Sequence, residues 1–299
     1  MRPEPISLLD SRFLRRLEFL SLRARRVHPG PLPALRPTPL RGHGLEFADH
    51  QPYTPGDDLR YLDWNVYARQ GQMLLKRFHE ERDLRVDLLL DASRSMGLGQ
   101  PSKFSCARQV VAALAYIGLA GLDRLAVTAF ADSVVARHPV IRGKNQILGL
   151  LRFLESLEVS GADTSLEQAA RSIIQRTEPT GVAIVVSDFL DPAGYERALD
   201  LLRYRRFDVY LLQVLEPREL RPDWLGDMEL LDVETGQLRP LVVRERTQRL
   251  YCDSMRKFVQ GLRGYARRHG MGFISSTTEQ PFDELVLHMM RQSDWLTGG

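Results

Sequence analysis

From Val86 onward, short apolar runs alternate with longer segments of helical periodicity, and no other feature narrows the fold as much. The runs Val86–Asp91, Leu125–Phe130, Val182–Ser187, Phe207–Val214 and Gly272–Ser276 read as strands. Between and after them, Lys103–Gly121, Lys144–Leu157, Ser165–Arg176, Gly194–Arg205 and Arg246–His269 read as helices, and a terminal one starts at Phe282. Strands joined by helix-length connections pair in parallel through crossovers, because a tight turn can only reverse the chain. The expected class is therefore α/β: a doubly wound, mostly parallel, Rossmann-type sheet. Met228–Val243 alternates around Glu234, Thr235 and Gly236 and reads as an inserted hairpin.

Ahead of this region, residues 5–26 place Leu8, Leu9, Phe13, Leu14, Leu17, Leu20 and Leu22 on one helical stripe with arginines between them. Such a stripe docks on its own domain or on a partner; the alternative is a membrane surface. Pro29, Pro31, Pro33, Pro37 and Pro39 then mark an extended linker. The sequence thus divides into an N-terminal helix and linker (1–40), a small β-rich accessory segment (41–85) and the α/β domain (86–299).

Composition removes several function classes. With 43% hydrophobic residues a core is readily built, and a net charge of +3 in 299 residues gives no reason to expect nucleic acid. The basic clusters Arg12–Arg26 and Arg263–His269 read as solvated helix faces. Cys106 and Cys252 fit no metal or redox spacing, so reduced thiols in a cytoplasmic setting are expected. The longest apolar run, Val110–Leu122, falls short of the ~20 residues of a spanning helix. Met1–Asp10 lacks the apolar stretch of a leader.

Polar groups appear where the first strand emerges: Asp91-Ala92-Ser93-Arg94-Ser95. In open α/β sheets, strand carboxyl ends line the ligand crevice, so one carboxylate and two hydroxyls can converge there. Two later positions sit at comparable places: Thr164 before a helix, and Asp188 after Val182–Ser187. An oxygen-only set suits a hard cation, Mg²⁺ or Mn²⁺.

Asp91, Ser93, Ser95, Thr164 and Asp188, in that order, resemble the metal-ion-dependent adhesion site of von Willebrand factor A domains. The resemblance implies that Asp91 binds mainly through water, that Ser93, Ser95 and Thr164 bind directly or through water, and that Asp188 acts from behind the ligands. Asp163 stands where that family has a glycine. Upstream, Tyr53-Thr54-Pro55-Gly56-Asp57-Asp58-Leu59-Arg60, Leu62-Asp63-Trp64 and Ala68-Arg69 resemble the signature of domain of unknown function family 58. That resemblance implies a companion MoxR-type AAA+ ATPase. The two together imply a metal-dependent adaptor rather than an enzyme, completed by an acidic side chain of a client.

The competing readings are a Mg²⁺-dependent phosphotransferase using Asp91 and a membrane-surface scaffold. The former wants a second carboxylate two residues after the nucleophile, where this chain has Ser93. No phosphate loop, nucleophile elbow or HExxH helix accompanies it. Asp57, Asp58, Arg60, Asp63 and Arg69 read as a structural polar network beneath packed aromatic rings. Met96 and Cys106 read as core packing, the histidines as lone, Glu80–Asp83 as a solvated strand end, and Lys103 as a surface lysine.

Overall fold

The computed structural model describes residues 7–27, 41–42, 46–55, 57–79, 85–161, 164–176, 181–231 and 237–291. The linker prolines, Glu80–Asp83 and Asp163 lie outside them. The chain forms two units, Met1–Arg36 with Leu84–Gly299, and Pro37–Asp83. Helix α1 (Ser11–Val27) opens the larger unit. The smaller one holds β1 (Arg41–Gly42), β2 (Glu46–Pro52), α2 (Trp64–Gln70) and β3 (Leu74–His79). The larger resumes with β4 (Arg85–Asp91), α3 (Lys103–Ala120), β5 (Arg124–Phe130), β6 (Val134–Ile141), α4 (Ile147–Glu155) and α5 (Leu166–Arg176). It continues through β7 (Gly181–Ser187), α6 (Glu196–Tyr204), β8 (Phe207–Leu215), α7 (Pro217–Leu220), β9 (Gly226–Leu231) and β10 (Leu238–Val243). Last come α8 (Glu245–Arg268), β11 (Gly272–Thr277) and α9 (Phe282–Arg291).

Six strands make the central sheet in the order β11-β8-β7-β4-β5-β6, parallel except for β6. Side chains alternate across each strand, so the sheet feeds two cores. Leu88 and Leu90 of β4 join α1, α3, α4 and α9 on one face. Leu89 joins α5, α6 and α8 on the other. This is the doubly wound α/β class expected from the alternation. The antiparallel edge strand β6 escapes that reading because His138-Pro139 interrupts its pattern, as proline does on edge strands.

The order also fixes where a ligand crevice falls. After β4 the chain adds β5 and β6 on one side, then returns to place β7, β8 and β11 on the other. The reversal lies between β4 and β7, and at such a switch point the carboxyl ends of the strands splay around a cleft.

One residue breaks the apolar reading of β4. Asp87 is buried, Arg85 Nη2 donates to its Oδ1 at 2.6 Å, and its Oδ2 has no hydrogen-bond partner among the described residues. Burial pushes this carboxyl above its usual range, with Arg85 opposing. Most of the stripe is spent internally: Leu8, Phe13, Leu17 and Leu20 are buried in the core shared with α3 and α9, whereas Leu22, expected on the same stripe, is exposed because it falls on the opposite face of α1 from Leu17 and Leu20.

In the smaller unit β3 lies between β1 and β2, and α2 adds a helix where only loops and strands were expected. The acidic signature residues act as local caps. Asp63 accepts from the N–H groups of Asn65 and Val66 at 3.0 and 3.3 Å, starting α2, while Gly71 ends it at φ +68°. Asp58 caps the turn Leu59–Tyr61, and Asp57 accepts from Thr54. Two of the aromatic rings expected to pack over this network, Trp64 and Tyr67, are instead exposed and touch each other edge to face at 6.2 Å.

Among the described residues β9 and β10 pair only with each other, apart from the central sheet. The turn of this hairpin, residues 232–236, lies outside the described residues. Leu230, Leu231, Leu238, Leu241 and Val242 are exposed along it. A two-stranded hairpin without a core contributes little stability of its own. Gly226 and Val243 face each other at its base, so residues 227–242 can be exchanged for a short glycine-rich turn. The melting temperature of that variant, followed by circular dichroism, is expected to move by less than about 4 °C, the equivalent of about 1 kcal/mol.

Candidate metal centre

β4 and β7 are adjacent, and each carries a carboxylate to the same rim. Asp91 is the last residue of β4 and Asp188 the first after β7; both are buried. The chain turns sharply beyond each. Ser93 N–H donates to Asp91 Oδ1 at 2.9 Å, and Arg94–Gly97 then forms a single 3₁₀ turn that brings Ser95 back beside Ser93. Leu190 N–H donates to Asp188 Oδ1 at 2.9 Å, and Phe189 N–H to Ser187 Oγ at 2.8 Å. Phe189 adopts φ +61°, a left-handed conformation that costs an aromatic residue roughly 1 kcal/mol or more. Its ring is buried edge to face with Tyr195, which holds the turn in place.

The polar side chains form two linked groups. Ser187 Oγ donates to Asp91 Oδ2 at 2.5 Å, joining the two strands. Ser93 Oγ and Ser95 Oγ lie 3.1 Å apart, and Ser95 Oγ donates to Asp188 Oδ2 at 3.1 Å. Four of the five residues expected from the sequence therefore meet at the switch point. Thr164 is buried at the same rim: Ser165 N–H donates to the carbonyl of Ala131, just beyond β5, and Ala92 N–H to the carbonyl of Phe130, each at 2.7 Å. Among the described residues no hydrogen bond joins the Thr164 side chain to the other four.

Lys103 corrects the sequence reading. Instead of facing solvent it is 0% exposed, with Nζ 2.7 Å from Asp188 Oδ2 and 2.5 Å from Glu219 Oε1. Helix α3 is buried nearly all round, so a lysine in its first turn points inward. Glu219 belongs to α7, where its other oxygen accepts from Glu216 N–H at 2.8 Å in a capping box. Burial alone lowers the pKa of the Lys103 ammonium, but Asp188 and Glu219 together hold it above the ordinary lysine value. Asp91 moves the other way: burial, reinforced by Asp188, pushes its carboxyl up to about 7 against the hydrogen bonds from Ser187 and Ser93.

The donor set is oxygen only, two carboxylates with two serine hydroxyls, and that chemistry fits a hard divalent cation. Among the described residues no group of three or more His, Cys, Asp or Glu is arranged for a metal, so any ion here depends on hydroxyls and water. Charge points the same way. Asp91, Asp188 and Glu219 supply three negative charges and Lys103 one positive charge.

The family described as Protein of unknown function DUF58 matches residues 49–257. The chain belongs to the DUF58 family. The DUF58 match takes in Asp91, Ser93, Ser95, Lys103, Thr164, Asp188 and Glu219. Relatives include uncharacterized proteins Mb1516 of Mycobacterium bovis and Rv1480 of Mycobacterium tuberculosis. Each is 29% identical over 202 residues, 66% of this chain and 63% of its own length. The chain thus spans less than two thirds of these curated relatives. Similar solved structures include BatB from Bacteroides thetaiotaomicron, with a TM-score of 0.46 and 16% identity over 71% of this chain and 98% of that one. Another is proximal thread matrix protein 1 from the mussel byssus, with a zinc-occupied MIDAS motif; its TM-score is 0.41, with 14% identity over 72% of this chain and 46% of that one.

The sequence reading missed Lys103, Ser187 and Glu219 as members of this polar cluster. For Lys103 a signal existed: a helix apolar all round has no solvent face to give a lysine. For Glu219 none did, because its approach depends on how the chain turns after β8.

Proposed function

We propose that this DUF58 protein is a metal-dependent binding adaptor. Asp91, Ser93, Ser95 and Thr164 would hold Mg²⁺ or Mn²⁺, with Asp188 behind them. What carries the reading is the meeting of Asp91, Ser93, Ser95 and Asp188 at the sheet's switch point. The excess of two negative charges there is what a divalent ion offsets, and without one the rim favours taking a proton on Asp91. A bound ion would supply an electrophilic position for an acidic side chain of a client. Ser93 and Ser95 contribute no charge, so the ion stays attractive to that carboxylate.

Binding is favoured over catalysis because Asp91 is no free nucleophile. One of its oxygens accepts from Ser93 N–H and the other from Ser187 Oγ, and the side chain is buried. Among the described residues no helix is long and apolar enough to cross a membrane. By family resemblance the companion is a MoxR-type AAA+ ATPase, in the cytoplasm, where the free thiols of Cys106 and Cys252 stay reduced. The test is binding of the purified ATPase and its client, measured with millimolar Mg²⁺ and with EDTA. Recovery of the complex is expected to fall at least about tenfold in EDTA, and equally in Asp91→Ala and Ser93→Ala with Mg²⁺ present. Equal recovery in every sample sinks the reading.

A further inference from the structure

We propose that Lys103 is a built-in cation that keeps Asp188 out of the metal's own coordination shell, and so sets how strongly a bound ion attracts an external carboxylate. This rests on the metal-dependent reading and adds a residue to it. The ammonium is completely buried between two carboxylates that are themselves fixed. Asp188 Oδ2 takes Lys103 Nζ at 2.7 Å and Ser95 Oγ at 3.1 Å, while Oδ1 takes Leu190 N–H at 2.9 Å. Three donors thus occupy a carboxylate with about four acceptor positions. Glu219 cannot swing away to free the lysine without giving up the N–H of Glu216. The root of the lysine is fixed as well, since its own N–H donates to the carbonyl of Leu98 at 3.0 Å and Ser102 caps the helix.

With Asp188 engaged in this way, Asp91, whose oxygens take two donors between them, is the one carboxylate of the pair left to face an ion, directly or through water. A divalent ion facing a single carboxylate and neutral hydroxyls retains net positive charge, which an incoming acidic side chain can satisfy. Were Asp188 released, it would displace a water, neutralise the ion and weaken that attraction. Lys103 also joins the rim to Glu219, at the start of the segment that leads into the exposed β9–β10 hairpin.

The experiment compares the full-length wild-type chain with Lys103→Met and Glu219→Gln. Mn²⁺ affinity is titrated by electron paramagnetic resonance, and waters on the bound Mn²⁺ are counted by water-proton relaxation. Lys103→Met is expected to bind Mn²⁺ at least about tenfold tighter and to lose about one bound water as Asp188 enters the shell. Acetate, used as the external carboxylate, should then bind the loaded variant more weakly than the wild type. An unchanged water count in Lys103→Met overturns the proposal, even if affinity rises, because a mere loss of positive charge would do that much.

Glu219→Gln, at a partly exposed position, keeps the question open to test should Lys103→Met not fold. It leaves the lysine wholly to Asp188, so Mn²⁺ should bind more weakly with the wild-type number of waters; tighter binding or a lost water overturns the proposal. A wild-type chain that refuses Mn²⁺ while Lys103→Met accepts it sinks the metal reading of the native protein and leaves Lys103 as Asp188's cation. Wild-type binding with an unaltered variant does the reverse, and refusal by both removes the two together.

Discussion

Asp91→Asn is expected to abolish the response to Mg²⁺ and Mn²⁺ while making the metal-free protein more stable above neutral pH. The two effects have one cause. In the folded chain burial, helped by Asp188, raises the Asp91 carboxyl from an ordinary value of 3.8 to about 7. The folded state therefore holds this proton more tightly than the unfolded chain does. Stability from the group is fully present below the unfolded value and is lost as pH rises through about 7. The loss accumulates over the pH range between the two values and is on the order of a few kcal/mol in all. Asparagine carries no charge to bury and keeps an oxygen to accept from Ser93 N–H. Denaturant titration in EDTA should thus show the wild type losing distinctly more stability between about pH 5 and about pH 8 than Asp91→Asn, in which the buried Asp87 still contributes a decline of the same sign. Adding Mg²⁺ should restore the wild type near pH 8 and leave the variant unmoved. A variant less stable than the wild type in EDTA at that pH would show that Asp91 serves the fold rather than an ion.

This opposition between stability and function explains which parts of the protein could be read from residues alone. The parallel sheet announces itself because its strands are buried on both faces and its crossovers need helices. The placing of Asp91 and Asp188 followed from the same logic, since both stand where apolar runs end. What stayed hidden depends on contacts between residues distant in sequence. Lys103 and Glu219 are 116 positions apart and meet only because α7 folds back toward the start of α3. Asp87 hides in an apolar strand because Arg85, two residues earlier on the same face, lends it a partner. The signature acids Asp57, Asp58 and Asp63 were legible as structural, and the pair of Asp58 with Arg60 belongs to the network read from charge, but the backbone groups that Asp57, Asp58 and Asp63 cap and the His50 partner of Asp63 follow only from the folded chain.

Phe13→Ala and Leu17→Ala are each expected to destabilise the protein by about 2 to 5 kcal/mol, a large share of what a domain possesses. An amphipathic helix rich in arginine can lie on a lipid surface or complete a core, and the two fates make opposite demands on the same stripe. Here Phe13 and Leu17 are 1% and 0% exposed, the Phe13 ring lies 5.0 Å from that of Phe282 in α9, and Arg16 reaches Asp283 at 2.7 Å. Phe19 and Leu22 point outward, at 62% and 63% exposure. Leu22→Ala is therefore the internal control, with a change within about 0.5 kcal/mol. A helix held in reserve for a membrane would give the reverse: little loss of stability at Phe13 and Leu17, and loss of vesicle flotation on mutating them. Urea titration of the three variants separates these cases. A large loss confined to the buried pair would mean that α1 closes the face of the sheet that α3 and α9 cover, because only atoms already packed into that core can leave a cavity when they are removed.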